Sequence, residues 1–206
     1  MSTSVIQVES NLRIRLLDGS KVVDERVGHN IFLDLGREWL AHLVAYESLT
    51  PPTPYPVKQI RFMGVGIGGT RQLALSQANA PPLVDAYPGS NSQTDINPKV
   101  IRLERPVRVT GSSTIAPSYS PSDVWLGQVQ APPEFPTGRS VTFRRSFGIT
   151  EVSYAPYLSV PLSEVALFTG DAMVNNFNNT PVAYDTFDTL SKTDAFDLEI
   201  AWTLRF

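Results

Sequence analysis

The most regular alternation of apolar and polar positions lies at residues 196–206, FDLEIAWTLRF. Phe196, Leu198, Ile200, Trp202, Leu204 and Phe206 alternate there with Asp197, Glu199, Ala201, Thr203 and Arg205. Successive side chains of a strand point to opposite faces, so a period of two places one face in a core and leaves the other polar. The run is longer than the usual strand of about 5–6 residues. Trp202 and Phe206 make poor solvent-facing groups, so the C-terminus is expected to be packed down. The stretch reads as the central strand of an antiparallel sheet.

Similar alternation opens the chain. Leu12, Ile14 and Leu16 alternate with Arg13 and Arg15, and Asp18-Gly19 separates them from a second run. Asp-Gly between such runs marks a hairpin, because a type I′ turn needs φ > 0. Strands are expected at about 11–17 and 20–27. Residues 58–69, KQIRFMGVGIGG, read as a buried strand ending in glycines. Residues 100–109 read as a strand in which Pro106 marks an edge or a bulge. Residues 140–152 put Val141, Phe143, Phe147 and Ile149 on one face, interrupted by Arg145. A short apolar strand at 164–168, a turn cluster at 175–180 and the closing run complete about seven strands.

Helical spacing is convincing only at 34–46, DLGREWLAHLVAY, where Leu35, Trp39, Leu40, Leu43 and Val44 share a face. Asp34 suits the N-cap, Gly36 weakens the first turn, and the prolines of 50–56 end the helix. The pattern therefore predicts a mainly β chain: an antiparallel β-sandwich with one packed α-helix and long loops. Residues 1–10 form a polar arm, and 11–206 a single β-rich domain. Two proline-rich segments, 81–98 and 111–138, exceed the usual loop length. They carry Tyr87, Tyr119, Trp125 and Phe135. Aromatics are enriched in interface cores, so these four are the candidate interface residues, expected to order against a neighbouring subunit. A sugar-binding platform is the other use of such aromatics.

Composition narrows the chemistry. A chain of 206 residues with 42% hydrophobic and 18% charged residues can bury a sizeable core. Its net charge of −3, with the 17 Lys and Arg scattered, gives no basic patch for nucleic acid. The absence of cysteine excludes disulfides, thiolate catalysis and cysteine metal sites. The first ten residues lack the charge and apolar run of a signal peptide, and no stretch reaches the length of a membrane helix.

Gly64, Gly66 and Gly69 satisfy G-x-G-x-x-G, with Asp85 near the acidic position of a dinucleotide site. That reading needs a helix directly after the glycines and a parallel strand beyond it. Pro81-Pro82 crowd that space, and a tight turn with close backbone approach is favoured. His29 and His42 are the only histidines, and they lack the H-E-x-x-H spacing of a zinc site. G-x-S-x-G is absent, and paired carboxylates for sugar hydrolysis have no spacing to single them out. No catalytic, cofactor or metal residue is expected.

Several segments together resemble small structural proteins of tailed bacteriophages. His29-Asn30, Gly36-Arg37 and Trp39-Leu40-Ala41 resemble an N…G-R-x-x-L-A opening. Residues 60–68, IRFMGVGIG, resemble the strand that follows it, and 163–168, SEVALF, resemble an E-x-x-L-F strand. Thr186-Phe187-Asp188 and Lys192, ahead of the Trp202 run, resemble the ending. The likeness runs from His29 onward and leaves the two long loops without a counterpart. It implies a virion component; together with the composition and the long loops, the expectation is a non-enzymatic subunit that binds copies of itself and other virion proteins, without nucleic acid or membrane as partner. The tail, baseplate or neck is the expected place. A capsid decoration protein is the alternative, and a host carbohydrate-binding module a more distant one.

Overall fold

The alternating runs become the strands of two sheets. A computed structural model describes residues 8–28, 31–32, 36–37, 40, 59–67, 103, 107–109, 124, 126–131, 133–152, 159–170 and 181–206. Its strands in chain order are β1 (Glu9–Asp18), β2 (Lys21–Gly28), β3 (Ile31–Phe32), β4 (Ile60–Gly66), β5 (Gly127–Gln128), β6 (Glu134–Thr137), β7 (Ser140–Phe147), β8 (Val160–Thr169), β9 (Pro181–Lys192) and β10 (Asp197–Arg205). The first sheet has the order β2-β1-β10-β7-β6 and the second β3-β9-β8-β4-β5. Every pairing is antiparallel.

The closing run is the middle strand of the first sheet, as its alternation predicts. Trp202 pairs with Leu12 on one side and Phe143 on the other, and Ile200 and Leu198 pair with Ile14 and Leu16. These residues join Met63, Val65, Val165, Leu167 and Phe187 of the second sheet in one apolar cluster. Two sheets closing on one core form the arrangement of a β-sandwich. Each fully buried large apolar side chain contributes roughly 1.5–3 kcal/mol.

The end of that strand departs from expectation. The Phe206 N–H donates to the Arg139 carbonyl at 2.9 Å, which ties down the backbone. Its ring remains 46% exposed, because the inner face ends at Leu204. β7 likewise stops at Phe147, so Ile149 lies in the following turn and faces solvent. Arg145 stays near the core face, its guanidinium 5.0 Å from the Phe147 ring centre.

Asp18 pairs with Lys21, so the β1–β2 turn is Gly19-Ser20. Gly19 has φ +60, and Ser20 is not among the positive-φ residues. Glycine at the first central position suits a II′ turn rather than the I′ turn expected. Leu16 pairs with Asp24 and Leu17 with Val22, leaving Val23 as an extra residue in β2. That bulge, with Lys21, Asp24 and Glu25, discourages a further strand from pairing on this edge. Pro136 in β6 does the same at the opposite edge by removing a donor.

β8 is ten residues long rather than five, and nearly all of it is buried. On its second face Ala166 and Phe168 cluster with Phe62, Leu103, Leu126 and Tyr184. Leu126, assigned above to a long loop, is thus a core residue, and 127–128 and 134–137 are strands. The strand expected at 100–109 is not regular where it is described. Val107 donates to the Val65 carbonyl at 2.9 Å, a single bond to the second sheet, and Val109 to that of Val124 at 2.7 Å. Gly36, Arg37 and Leu40 have helical backbone. The rest of 34–46, and the features expected at 81–98, 111–123 and 175–180, lie outside the described residues.

Candidate functional site

The alternation that buries Leu12, Ile14 and Leu16 turns Arg13 and Arg15 to the opposite face of the first sheet. Register sets Glu25 of β2 beside Arg15, and Glu199 of β10 on its other side. Arg144 of β7 follows, paired with Ala201, and Glu134 of β6 closes the row. The result is a ladder of ion pairs across all five strands. Glu25 meets Arg13 at 3.2 Å and Arg15 at 2.9 Å. Glu199 lies 3.8 Å from both Arg15 and Arg144. Arg144 meets Glu134 at 2.6 Å. Three cations and three anions neutralise one another. Exposed pairs contribute at most about 1 kcal/mol each, so the ladder fixes register and cancels charge more than it stabilises.

Apolar side chains stand at both margins of this sheet. Val27 on β2 is 64% exposed, Val22 and Val23 are exposed at the other end of the same strand, and Phe135 on β6 is 71% exposed. Of the four aromatics singled out from the sequence, Phe135 therefore sits on an edge strand rather than in a loop. Tyr87, Tyr119 and Trp125 lie outside the described residues. The valines and the charge ladder were not singled out, because both depend on register between strands.

The buried polar groups are held in place by specific contacts. The Tyr184 hydroxyl donates to Glu164 at 2.9 Å within the closed second face of β8. Lys192 donates to the carbonyls of Thr193 at 2.7 Å and Ile149 at 3.4 Å. Burial lowers its pKa, while Asp197, Asp194 and Glu151 pull it back up. Glu151 receives Arg145 at 2.5 Å and the Gly148 N–H at 2.9 Å, which closes the turn after β7. Val152 ends that turn at φ 53, rare for a β-branched residue. Its N–H donates to the Val109 carbonyl at 3.1 Å, and its side chain is fully buried. Burial pushes the Asp185 carboxyl up to about 7, against a hydrogen bond from the Thr186 backbone that lowers it.

Gly64 and Gly66 lie on β4, whose partners β8 and β5 both run antiparallel to it. A Cβ at Gly64 would stand 2.8 Å from Leu126 and 2.9 Å from Leu103. This glycine is required by packing, as the close-approach reading predicts. Gly69, His29 and His42 lie outside the described residues. Among the described residues, no group of three His, Asp or Glu side chains gathers to hold a metal, and no helix is long and apolar enough to cross a membrane.

No protein-family model matches this chain, no curated protein matches it, and no solved structure matches its fold.

Proposed function

We propose that this chain is a non-enzymatic structural subunit of a tailed-phage virion. It assembles with copies of itself and with neighbouring virion proteins in the tail, baseplate or neck. Capsid decoration is the alternative position. The phage attribution rests on the sequence resemblance. The assembly reading is supported by one observation above all: a self-neutralised sheet whose two edge strands carry exposed apolar residues, Val27 on β2 and Phe135 on β6. A face whose charges are already paired costs less to cover than one with unpaired charges, because each ion keeps its partner when water leaves. Large exposed apolar side chains at its rim supply the attraction.

On this reading the helix over 34–46 packs beside the sandwich, and Gly36, Arg37 and Leu40 support it with helical backbone. The loops holding Tyr87, Tyr119 and Trp125 add contacts to neighbouring subunits. The test is sedimentation velocity over a wide concentration range on the wild-type chain and on a Val27→Asp, Phe135→Asp double variant. Self-association by the wild type, abolished in the double variant at unchanged melting temperature, is the expected result. Equal association of both chains would remove the margins from the interface. If binding to host polysaccharide depended on Phe135, the carbohydrate-binding reading would replace assembly.

A further inference from the structure

Asp185 is an acid placed between the two sheets. It lies opposite Val165 on β8 and alternates with Ala183 and Phe187, both members of the shared core. Its Oδ2 is buried and has no hydrogen-bond partner. A Cβ on Gly28, the last residue of β2, would come within 2.0 Å of that oxygen. The carboxyl therefore lies against the backbone of the first sheet's edge strand, and a side chain at Gly28 would require it to move.

Among the described residues no cation answers it. Arg26, two residues earlier on β2, is engaged by Asp24 and by the carbonyls of Glu25, Asp188 at 3.2 Å and Thr189 at 3.3 Å. From β1, Leu12 approaches Gly28, while Arg13 and Arg15 belong to the ladder on the opposite face. On β8, Glu164 is hydrogen-bonded by Tyr184 in the second apolar cluster. On β9 itself, Asp188 is exposed. β3, which pairs with Tyr184 and Ala183, brings Ile31 and Phe32 and no charge.

We propose that Asp185 makes the seam between the end of β2 and β9 a proton-controlled contact. With the carboxyl protonated, β2 stays seated against the second sheet. With it ionised, an uncompensated buried anion is relieved most cheaply by lifting the edge strand, whose far side has no strand partner among the described residues. Burial places this ionisation at about 7 instead of the ordinary 3.8. A folded-state value above the unfolded one means that the closed seam is fully favoured at pH below the ordinary value. That preference is lost as pH rises through about 7. The inference stands on the seam alone and is independent of the virion reading.

Hydrogen exchange corrected for intrinsic rates tests it, comparing β2 amides with β10 amides at about pH 5.5 and about pH 8.5. In the wild type, relative protection of Val27 and Gly28 should fall at least about tenfold across that interval. In Asp185→Asn it should stay level. A wild-type ratio that does not change, or an equal fall in Asp185→Asn, overturns the proposal. Should Asp185→Asn fail to fold, carboxyl carbon NMR of the wild type decides: a titration midpoint near 7 supports the latch, and one near the ordinary value refutes it.

Discussion

Replacing Trp202 probes the core where both sheets depend on it. The side chain is fully buried in the middle strand, between Leu12 and Phe143 in register. Its indole N–H donates to the Ser10 hydroxyl at 2.7 Å, so one residue fills the centre and ties β1 to β10. Trp202→Ala should cost about 3–5 kcal/mol from lost burial and the cavity left behind. The Ser10 hydroxyl then loses its partner as well, worth about 1 kcal/mol. Trp202→Phe keeps most of the apolar area but removes the donor, so it should cost about 1–2 kcal/mol. In a chain of this size 1 kcal/mol moves the melting temperature by about 2–4 °C. The alanine variant should therefore melt roughly 8–24 °C lower, and the phenylalanine variant a few degrees lower. Urea unfolding followed by far-ultraviolet circular dichroism is the assay, since Trp39 and Trp125 also fluoresce. Phe206→Ala, with its ring half outside, is the control and should cost under about 0.5 kcal/mol. A midpoint for Trp202→Ala indistinguishable from the wild type would refute the placement of this strand at the centre of the core.

Three further outcomes follow from the packing. Gly64→Ala should destabilise by about 1–3 kcal/mol through overpacking against Leu126 and Leu103, and urea midpoints equal to the wild type would contradict that contact. Glu199→Gln cuts the charge ladder at its middle and should cost under about 1 kcal/mol, with the difference vanishing in about 1 M salt. A loss that persists in salt would mean that Glu199 does more than pair with Arg15 and Arg144. Lys192 has its folded-state pKa lowered by burial, so its contribution to stability rises as pH climbs through that value towards the ordinary 10.5. Denaturation at about pH 8 and about pH 10 should show the wild type gaining on Lys192→Met, and parallel behaviour of the two chains would refute the sign.

The parts of the fold legible in the sequence are those in which one strand carries its own pattern. β10 and the β1–β2 hairpin alternate because one face meets the core and the other meets water. β9 was missed because Asp185, Asp188 and the fully buried Lys192 interrupt its apolar run, and the Lys192 ammonium is accommodated only by the carbonyls of Thr193 and Ile149. β8 looked short because Pro161 and Ser163 break the apolar run ahead of Glu164, yet Ser163 is fully buried. β5 and β6 sit in a proline-rich stretch and are strands only because β4 and β7 pair with them. The same division holds for the candidate surface. Phe135 drew notice as an aromatic among prolines, whereas Val27 and the ladder from Arg13 to Glu134 emerge only once register sets their strands side by side.

The proposed virion role is tested most directly by the composition of gradient-purified phage particles from cells that produce this chain. Quantitative peptide mass spectrometry should find the chain at a fixed copy number relative to the other structural proteins, and cryo-electron microscopy should fit the two-sheet sandwich into tail, baseplate or neck density. Density on the capsid surface would select the decoration role instead. A chain abundant in the infected-cell lysate but absent from the purified particles would contradict the assignment.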